Sequence, residues 1–241
     1  MSPRLIVSIL LVACSKPPAT KPPEAARATG SAAPASRVPP EVARLDRDPE
    51  LPNIVITSAG VYYGRQKLGR VGDELARAHA AAPMKQTAVF VLAGAPVAAI
   101  VDTIRALPRA GWARAELYAV DGERPRMLCD ANWEDPLPDP AESVTLSIEL
   151  TRERAWVGLS KVNEFEEVPK RGDDHDFDKL ETILKEHRAS AFFADRRDAQ
   201  LAFDPEVVTA DALRALETTC TADFNGIHLV SPDELAARVR R

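Results

Sequence analysis

The chain has 241 residues, 45% of them hydrophobic, and its 31 basic and 36 acidic residues give a formal charge of −5. This length accommodates one medium domain or two small ones. A mildly acidic chain whose longest basic run is the terminal RVRR lacks the clustered basic surface that nucleic acids require, so the composition excludes a DNA or RNA partner.

The N-terminus has the pattern of a bacterial lipoprotein signal. Arg4 precedes an apolar run of about nine residues, Leu5 to Ala13, which is too short to span a bilayer. The run ends in Leu11-Val12-Ala13-Cys14, which resembles a lipobox, so residues 1–14 are interpreted as signal peptide plus acylated (palmitate-bearing) Cys14. An ordinary cleaved signal, or a first strand, is the alternative. Ser15 in place of Asp favours the outer membrane.

A proline- and alanine-rich segment follows the cysteine. Nine of the 20 prolines fall between Pro17 and Pro52. Paired prolines with Ala, Ser and Lys favour extended, solvated backbone and cannot build a core. The sequence therefore predicts a disordered tether over residues 15–50.

The remainder reads as two copies of one unit. The phrase DTIRAL at Asp102–Leu107 returns as DALRAL at Asp211–Leu216, at an offset of 109 residues. Nearer the start, IVITSAGVYYG (54–64) aligns with IELTRERAWVG (148–158) at an offset of 94. The change of offset implies roughly 15 extra residues in the second copy, and the loop EEVPKRGDDHD accommodates them.

Each copy has the pattern strand, strand, helix, strand, helix, strand. Short crossovers between parallel strands are right-handed, which puts both helices on one face of a small mixed sheet. The predicted fold class is α/β, as an α+β two-layer sandwich built from tandem ββαβαβ units. The predicted boundaries are 51–121 for the first repeat, 122–142 for a linker and 143–235 for the second repeat.

One stretch resembles a known family. The strand Val89–Ala93, the turn Gly94-Ala95-Pro96, a helix through Leu107, Gly111 and the strand Glu116–Val120 follow the order of the periplasmic domain of the ExbD/TolR family of biopolymer-transport proteins. The second copy matches less well, with Cys220 where Gly111 stands. The resemblance implies a stator-like domain of a proton-driven motor. The family's proton-carrying transmembrane helix has no counterpart here, so the resemblance does not extend to motor activity.

Motifs for catalysis or cofactor binding are missing from the sequence. Neither a phosphate-binding loop nor a metalloprotease or hydrolase motif occurs, so we expect no catalytic residue, no metal and no cofactor. The segment Asp173-Asp174-His175-Asp176 allows either a cation site or a solvated acidic loop, and we expect the loop. Asp102 and Asp211 are either a shared interaction site or part of a polar helix face, and we expect the polar face.

Three cysteines minus a lipidated Cys14 leave Cys129 and Cys220. An even pair in an oxidising compartment allows a disulfide, and two buried free thiols are the alternative.

The strand around Val89, Phe90, Val91 and Leu92 is apolar at every position, as in strands buried on both faces. We expect the second copy to cover its second face, giving a monomer with an internal pseudo-dimer and these four residues at the contact. The alternative is two independently folded repeats, each with its own small core, joined by the linker.

These observations favour a non-catalytic, lipid-anchored periplasmic interaction module of the cell envelope. Motor components or peptidoglycan are the expected partners. A hydrolase of the envelope with an unrecognised site is the alternative function.

Overall fold

The computed structural model describes residues 38–45, 53–122, 124–162 and 164–238, which all belong to one compact unit. The predicted signal peptide, Cys14 and most of the predicted tether lie outside the described residues. The predicted two-layer α/β architecture is confirmed, with two six-stranded mixed sheets and five helices.

The first repeat follows a short helix, α1 (Pro40–Leu45). The elements of the first repeat are β1 (Asn53–Thr57), β2 (Gly60–Tyr63), β3 (Gln66–Lys67), α2 (Val71–Ala81), β4 (Gln86–Leu92), α3 (Val97–Ala110), β5 (Arg114–Asp121) and β6 (Arg124–Asn132). The sheet has the strand order β3-β2-β1-β4-β5-β6, in which β1, β4 and β5 are parallel.

The elements of the second repeat are β7 (Leu146–Leu150), β8 (Arg154–Leu159), β9 (Glu164–Arg171), β10 (Asp174–His175), α4 (Phe177–Arg188), β11 (Asp198–Phe203), α5 (Thr209–Thr221) and β12 (Gly226–Leu229). The strand order is β10-β9-β8-β7-β11-β12, with β7, β11 and β12 parallel. The five strands β9-β8-β7-β11-β12 follow the plan of the first repeat, whereas β10 is added at one edge and β6 has no counterpart at the other edge of the described sheet. A 3-10 turn at Pro232–Glu234 follows β12.

Apolar periodicity explains the helical layer of each repeat. In α3, Ile100, Ile104 and Leu107 follow at spacings of four and three residues, so they share one face, and all three are buried against the sheet. α3 ends at Gly111, whose left-handed backbone (φ 107°) lets the N–H of Trp112 donate back to the Leu107 carbonyl at 3.2 Å.

The two repeats are related by an offset different from the one that the repeated phrase indicates. Ile54 of β1 pairs with Val89, and the matching Ile148 of β7 pairs with Leu201, so Val89 and Leu201 are equivalent positions 112 residues apart. The same separation relates Gly111 to Asp223, which also has a positive φ (67°) at the end of its helix. The alignment of Gly111 with Cys220 is therefore wrong.

The offset of 109 differs from the structural offset by three residues, close to one helical turn. Both alignments place apolar side chains on the buried face, so the sequence pattern alone did not separate them. The extra residues of the second repeat form the hairpin β9–β10, whereas the sequence predicted a loop there.

Two segments outside the predicted repeats have regular structure. Residues 40–45, assigned to the tether, form α1, and residues 124–132, assigned to the linker, form β6 beside β5. α1 exists because Val42 is fully buried against Val55 and Tyr62 of the first sheet, and β6 because it pairs with β5 along its length.

The outer face of each sheet, the face away from its helices, is covered by a terminal segment. α1 lies on the outer face of the first sheet. On the second sheet, the N–H groups of Ala236 and Ala237 donate to Gln200 (2.7 Å) and Ser147 (3.0 Å). The first outer face is apolar and the second is polar.

Candidate functional site at the junction of the two repeats

Equivalent turns of the two repeats meet at one groove, which we call the repeat groove. The turn after β4 (93–96) and the turn after β11 (204–208) form its walls, and Val230, Ser231 and Pro232 complete it around a volume of about 560 Å³. Thr209 at the start of α5 donates a hydrogen bond to the Ala95 carbonyl across the junction. Both turns leave the carboxyl ends of parallel strands, where ligand sites of α/β folds commonly lie.

The walls of the repeat groove are mainly apolar. Pro96, Val97 and Val101 contribute from the first repeat, and Pro205, Val207 and Val208 from the second. Val208 is 58% exposed, which is unusual for a branched apolar side chain.

Two acidic residues, Asp102 and Asp204, are the charged members of the groove lining. The hydroxyl groups that line the groove are already committed to structural bonds: Thr209 donates to Ala95, and Ser231 forms a capping box with Glu234. No histidine, cysteine or lysine lies among the lining residues. The lining thus combines apolar walls with two carboxylates, an arrangement that can contact a ligand.

Reciprocal ion pairs hold the junction together. Arg105 of α3 binds Glu234 after β12 at 2.7 Å, and Glu217 of α5 binds Arg126 of β6. Arg105 and Glu217 occupy equivalent positions at the offset of 112, so the two helices carry opposite charges at the same place. Each helix thus reaches the last strands of the other repeat, and the repeats form a reciprocal pair.

Cys129 and Cys220 form a disulfide across the same junction, with their Cα atoms 5.6 Å apart. Cys129 belongs to β6 and Cys220 to α5, so the bond joins one repeat to the other. Of the two arrangements open at the level of sequence, bridged or free, the structure has the bridged one.

The end of β6 also satisfies the free edge of β12. The N–H of Asn132 donates to the Asn225 carbonyl at 2.9 Å, and the indole N–H of Trp133 donates to the Ile227 carbonyl at 2.7 Å. Carbonyls two residues apart point to the same edge of a strand, so the first repeat extends the pairing of the second sheet.

The four residues predicted at the contact between copies lie elsewhere. Val89 and Val91 face the helices of their own repeat, and Phe90 and Leu92 lie against the cluster formed by α1. The prediction that the second repeat covers this strand is wrong, because α1 covers its outer face. The signal was present in the spacing of Val38, Val42 and Leu45, all three of which belong to that cluster.

The acidic segment around His175 is a structural site. His175 is only 7% exposed; its Nδ1 lies 3.1 Å from an Asp211 carboxylate oxygen, and its Nε2 lies 2.9 Å from the Thr151 carbonyl. The expectation of a fully solvated loop is wrong for this residue. The equivalence of Asp102 with Asp211 is also wrong, because the structural offset of 112 residues places Arg214 opposite Asp102. Within the described part of the chain, no group of three His, Cys, Asp or Glu residues is arranged to hold a metal.

A second cavity, of about 440 Å³, lies beside the link between the repeats and is polar. Its central charges neutralise one another, since Arg196 binds the Asp198 carboxylate in a bidentate pair at 2.9 and 2.6 Å. Arg197 is likewise paired with Asp223. The lining also contains Asp135 and Asp195, which have no ion-pair partner among the described residues.

None of the helices formed by the described residues has the length and apolar character needed to cross a membrane. No protein-family model, curated protein or solved structure matches the chain.

Proposed function

We propose that this chain is a non-catalytic interaction module of the bacterial cell envelope, anchored to a membrane through lipid on Cys14. The observation that carries the proposal is the disulfide between Cys129 and Cys220, since disulfides persist in oxidising compartments such as the periplasm. It agrees with the export signal that precedes the folded part.

The geometry of the repeat groove supports a binding role. Its lining offers apolar surface and the exposed carboxylate of Asp102, and its hydroxyl groups serve structural hydrogen bonds. The resemblance to the ExbD/TolR periplasmic domain leads us to propose motor components or peptidoglycan as partners. The outer membrane is the proposed location, and a monomer with its two repeats paired internally is the proposed state.

The anchor is tested by replacing Cys14 with Ser and, as a matched control, Ser15 with Ala. We expect Cys14→Ser to abolish incorporation of labelled palmitate and to release the protein from membranes or leave it unprocessed. Ser15→Ala should behave like the original chain. Equal membrane fractionation of both variants would show that Cys14 carries no anchor.

The partner is tested by cross-linking the full chain in cells and by sedimentation with purified peptidoglycan. We expect co-sedimentation, or cross-links to proteins of an envelope motor. Release of soluble fragments from the peptidoglycan by the purified protein would instead establish a hydrolase and overturn the non-catalytic role.

A further inference from the structure

The repeat groove exposes apolar side chains that no part of the described chain covers. Pro96 and Val208 are the N-cap residues of α3 and α5, and both are exposed beside the cavity. A volume of about 560 Å³ lies within the range of ligand sites, roughly 300–1,000 Å³. Apolar groups held at such a place gain free energy when a ligand removes them from water.

The charge around the groove is acidic. Asp102 is exposed and has no ion-pair partner among the described residues, and Asp204 lies on the opposite wall. The nearby bases are already neutralised, Arg105 by Glu234 and Arg152 by Glu206. A ligand at this place therefore meets apolar walls beside the unpaired carboxylate of Asp102.

We propose that the repeat groove binds an extended segment of a partner protein that presents an apolar side chain next to a lysine or arginine. The apolar side chain enters between the two turns, near Val97 and Val208, and the basic group lies at Asp102. An extended segment fits because both walls are short turns rather than a closed pocket. This inference rests on the proposed interaction role and names the chemistry of the partner.

The test uses the full chain purified in detergent and a random peptide library as the probe. We expect selection to enrich peptides in which an apolar residue neighbours Lys or Arg. The affinity of an enriched peptide is then measured by fluorescence anisotropy for the original chain and for three variants. Unchanged melting transitions establish that each variant is folded.

Val208→Asp places a charge in the apolar wall, and we expect it to weaken binding about tenfold or more, a change of about 1.4 kcal/mol per decade. Its matched control is Val162→Asp, since Val162 is also an exposed valine (40%) but lies outside the groove lining. Val162→Asp should bind as the original chain does.

Asp102→Lys should lower the affinity for the basic peptide. It should raise the affinity for the same peptide in which Lys is replaced by Glu. An exposed ion pair is worth about 0.2–1 kcal/mol, so the change of preference is about 1.4- to fivefold in each direction. Failure to enrich any peptide, enrichment of acidic peptides, or equal binding by Val208→Asp and Val162→Asp would overturn the proposal. The cross-linking experiment in cells tests the proposed interaction role separately. A negative result with the peptides would therefore overturn the peptide-binding proposal and leave the interaction role standing.

Discussion

His175 is a buried imidazole with both ring nitrogens directed at oxygen atoms, those of Asp211 and Thr151. It fastens the end of the β9–β10 hairpin to the first turn of α5. Because the His175 side chain is almost fully buried, loss of either oxygen partner would leave a ring nitrogen without a hydrogen bond and without access to water.

Replacement of Asp211 by Ala therefore should lower the free energy of unfolding by about 1–3 kcal/mol, the usual cost of an unpaired buried polar group. The matched control is Asp102→Ala, the same residue in the other copy of the repeated phrase. Asp102 is exposed, so its replacement should change stability by no more than about 0.5 kcal/mol. Urea denaturation of the two variants measures the difference, and equal stabilities would contradict the assigned role of Asp211.

His228 gives the protein a dependence of stability on pH. Burial lowers the pKa of His228 below its ordinary value of 6.5, with a partial opposing effect from Asp198. The unfolded chain then binds a proton more readily than the folded chain. Stability is retained above the unfolded pKa and is lost as the pH falls through the lower folded pKa.

We expect the original chain to lose more stability than His228→Gln when the pH is lowered from about 7 to about 5. The other histidines are present in both proteins, so their effect on stability cancels in the comparison. The pKa values of Glu74 and Glu234 are lowered, so these two residues change stability only at pH values below this range. Guanidinium denaturation at several pH values provides the measurement. Parallel stability profiles for the two proteins would contradict the assignment.

At the scale of elements, the C-terminus of α3 depends on a glycine. Gly111 has φ 107°, and a Cβ built there would lie 2.6 Å from the His79 ring. That ring packs against the indole of Trp112, and its Nε2 lies 3.0 Å from the Met84 carbonyl oxygen. α2 and α3 therefore approach each other at a position where a side chain does not fit.

Gly111→Ala should destabilise the protein by more than Gly94→Ala. Both residues have positive φ, so both variants incur about 1–2 kcal/mol for the left-handed backbone. A Cβ at Gly94 meets no atom within 4 Å, whereas at Gly111 it meets His79, which has to move. Thermal unfolding of the pair isolates the steric part, and equal losses would show that His79 moves aside without cost.

The sequence predicted those elements whose apolar pattern is strong and local. β1, β4 and α3 were predicted because continuous or periodic apolar residues define their buried faces. β6 was missed because Arg124, Pro125 and Arg126 lack a strand pattern, and its conformation comes from pairing with β5. α1 was missed because six residues do not form a helix alone, and packing of Val42 supplies the stability.

The repeat groove could not be predicted from the sequence for a related reason. Its walls are turns 112 residues apart, which come together only through the reciprocal packing of α3 and α5 on the other repeat's last strands. The parity of the cysteines allowed a disulfide between Cys129 and Cys220 but did not decide between it and two free thiols, and the sequence did not contain the register of the helices. An alignment shifted by one turn hid the fact that Arg105 and Glu217 are counterparts.

At the scale of the whole molecule, the disulfide closes a loop of 91 residues between the repeats. A bond over such a distance restricts the unfolded chain strongly, and removal of such bonds typically costs about 2–5 kcal/mol. We expect Cys129→Ser with Cys220→Ser to lower the free energy of unfolding by this amount.

The measurement is denaturant unfolding of the double variant beside the original chain with and without reductant. The original chain in reductant should approach the double variant, which separates the bond from the effect of the substitutions. Thiol titration of the protein isolated from cells without reductant, in a Cys14→Ser background, should detect no free thiol. Two free thiols there would contradict the bridge.

The two walls of the repeat groove come from two non-identical repeats of one chain, and this difference affects how a bound segment is oriented. Two identical walls would receive an asymmetric peptide equally well in either direction along the groove. Here the walls differ: Gly94-Ala95-Pro96 and Asp102 belong to the first repeat, and Pro205 to Val208 belong to the second. The chain can therefore select a single N-to-C direction for its ligand, a polarity that two identical walls could not impose.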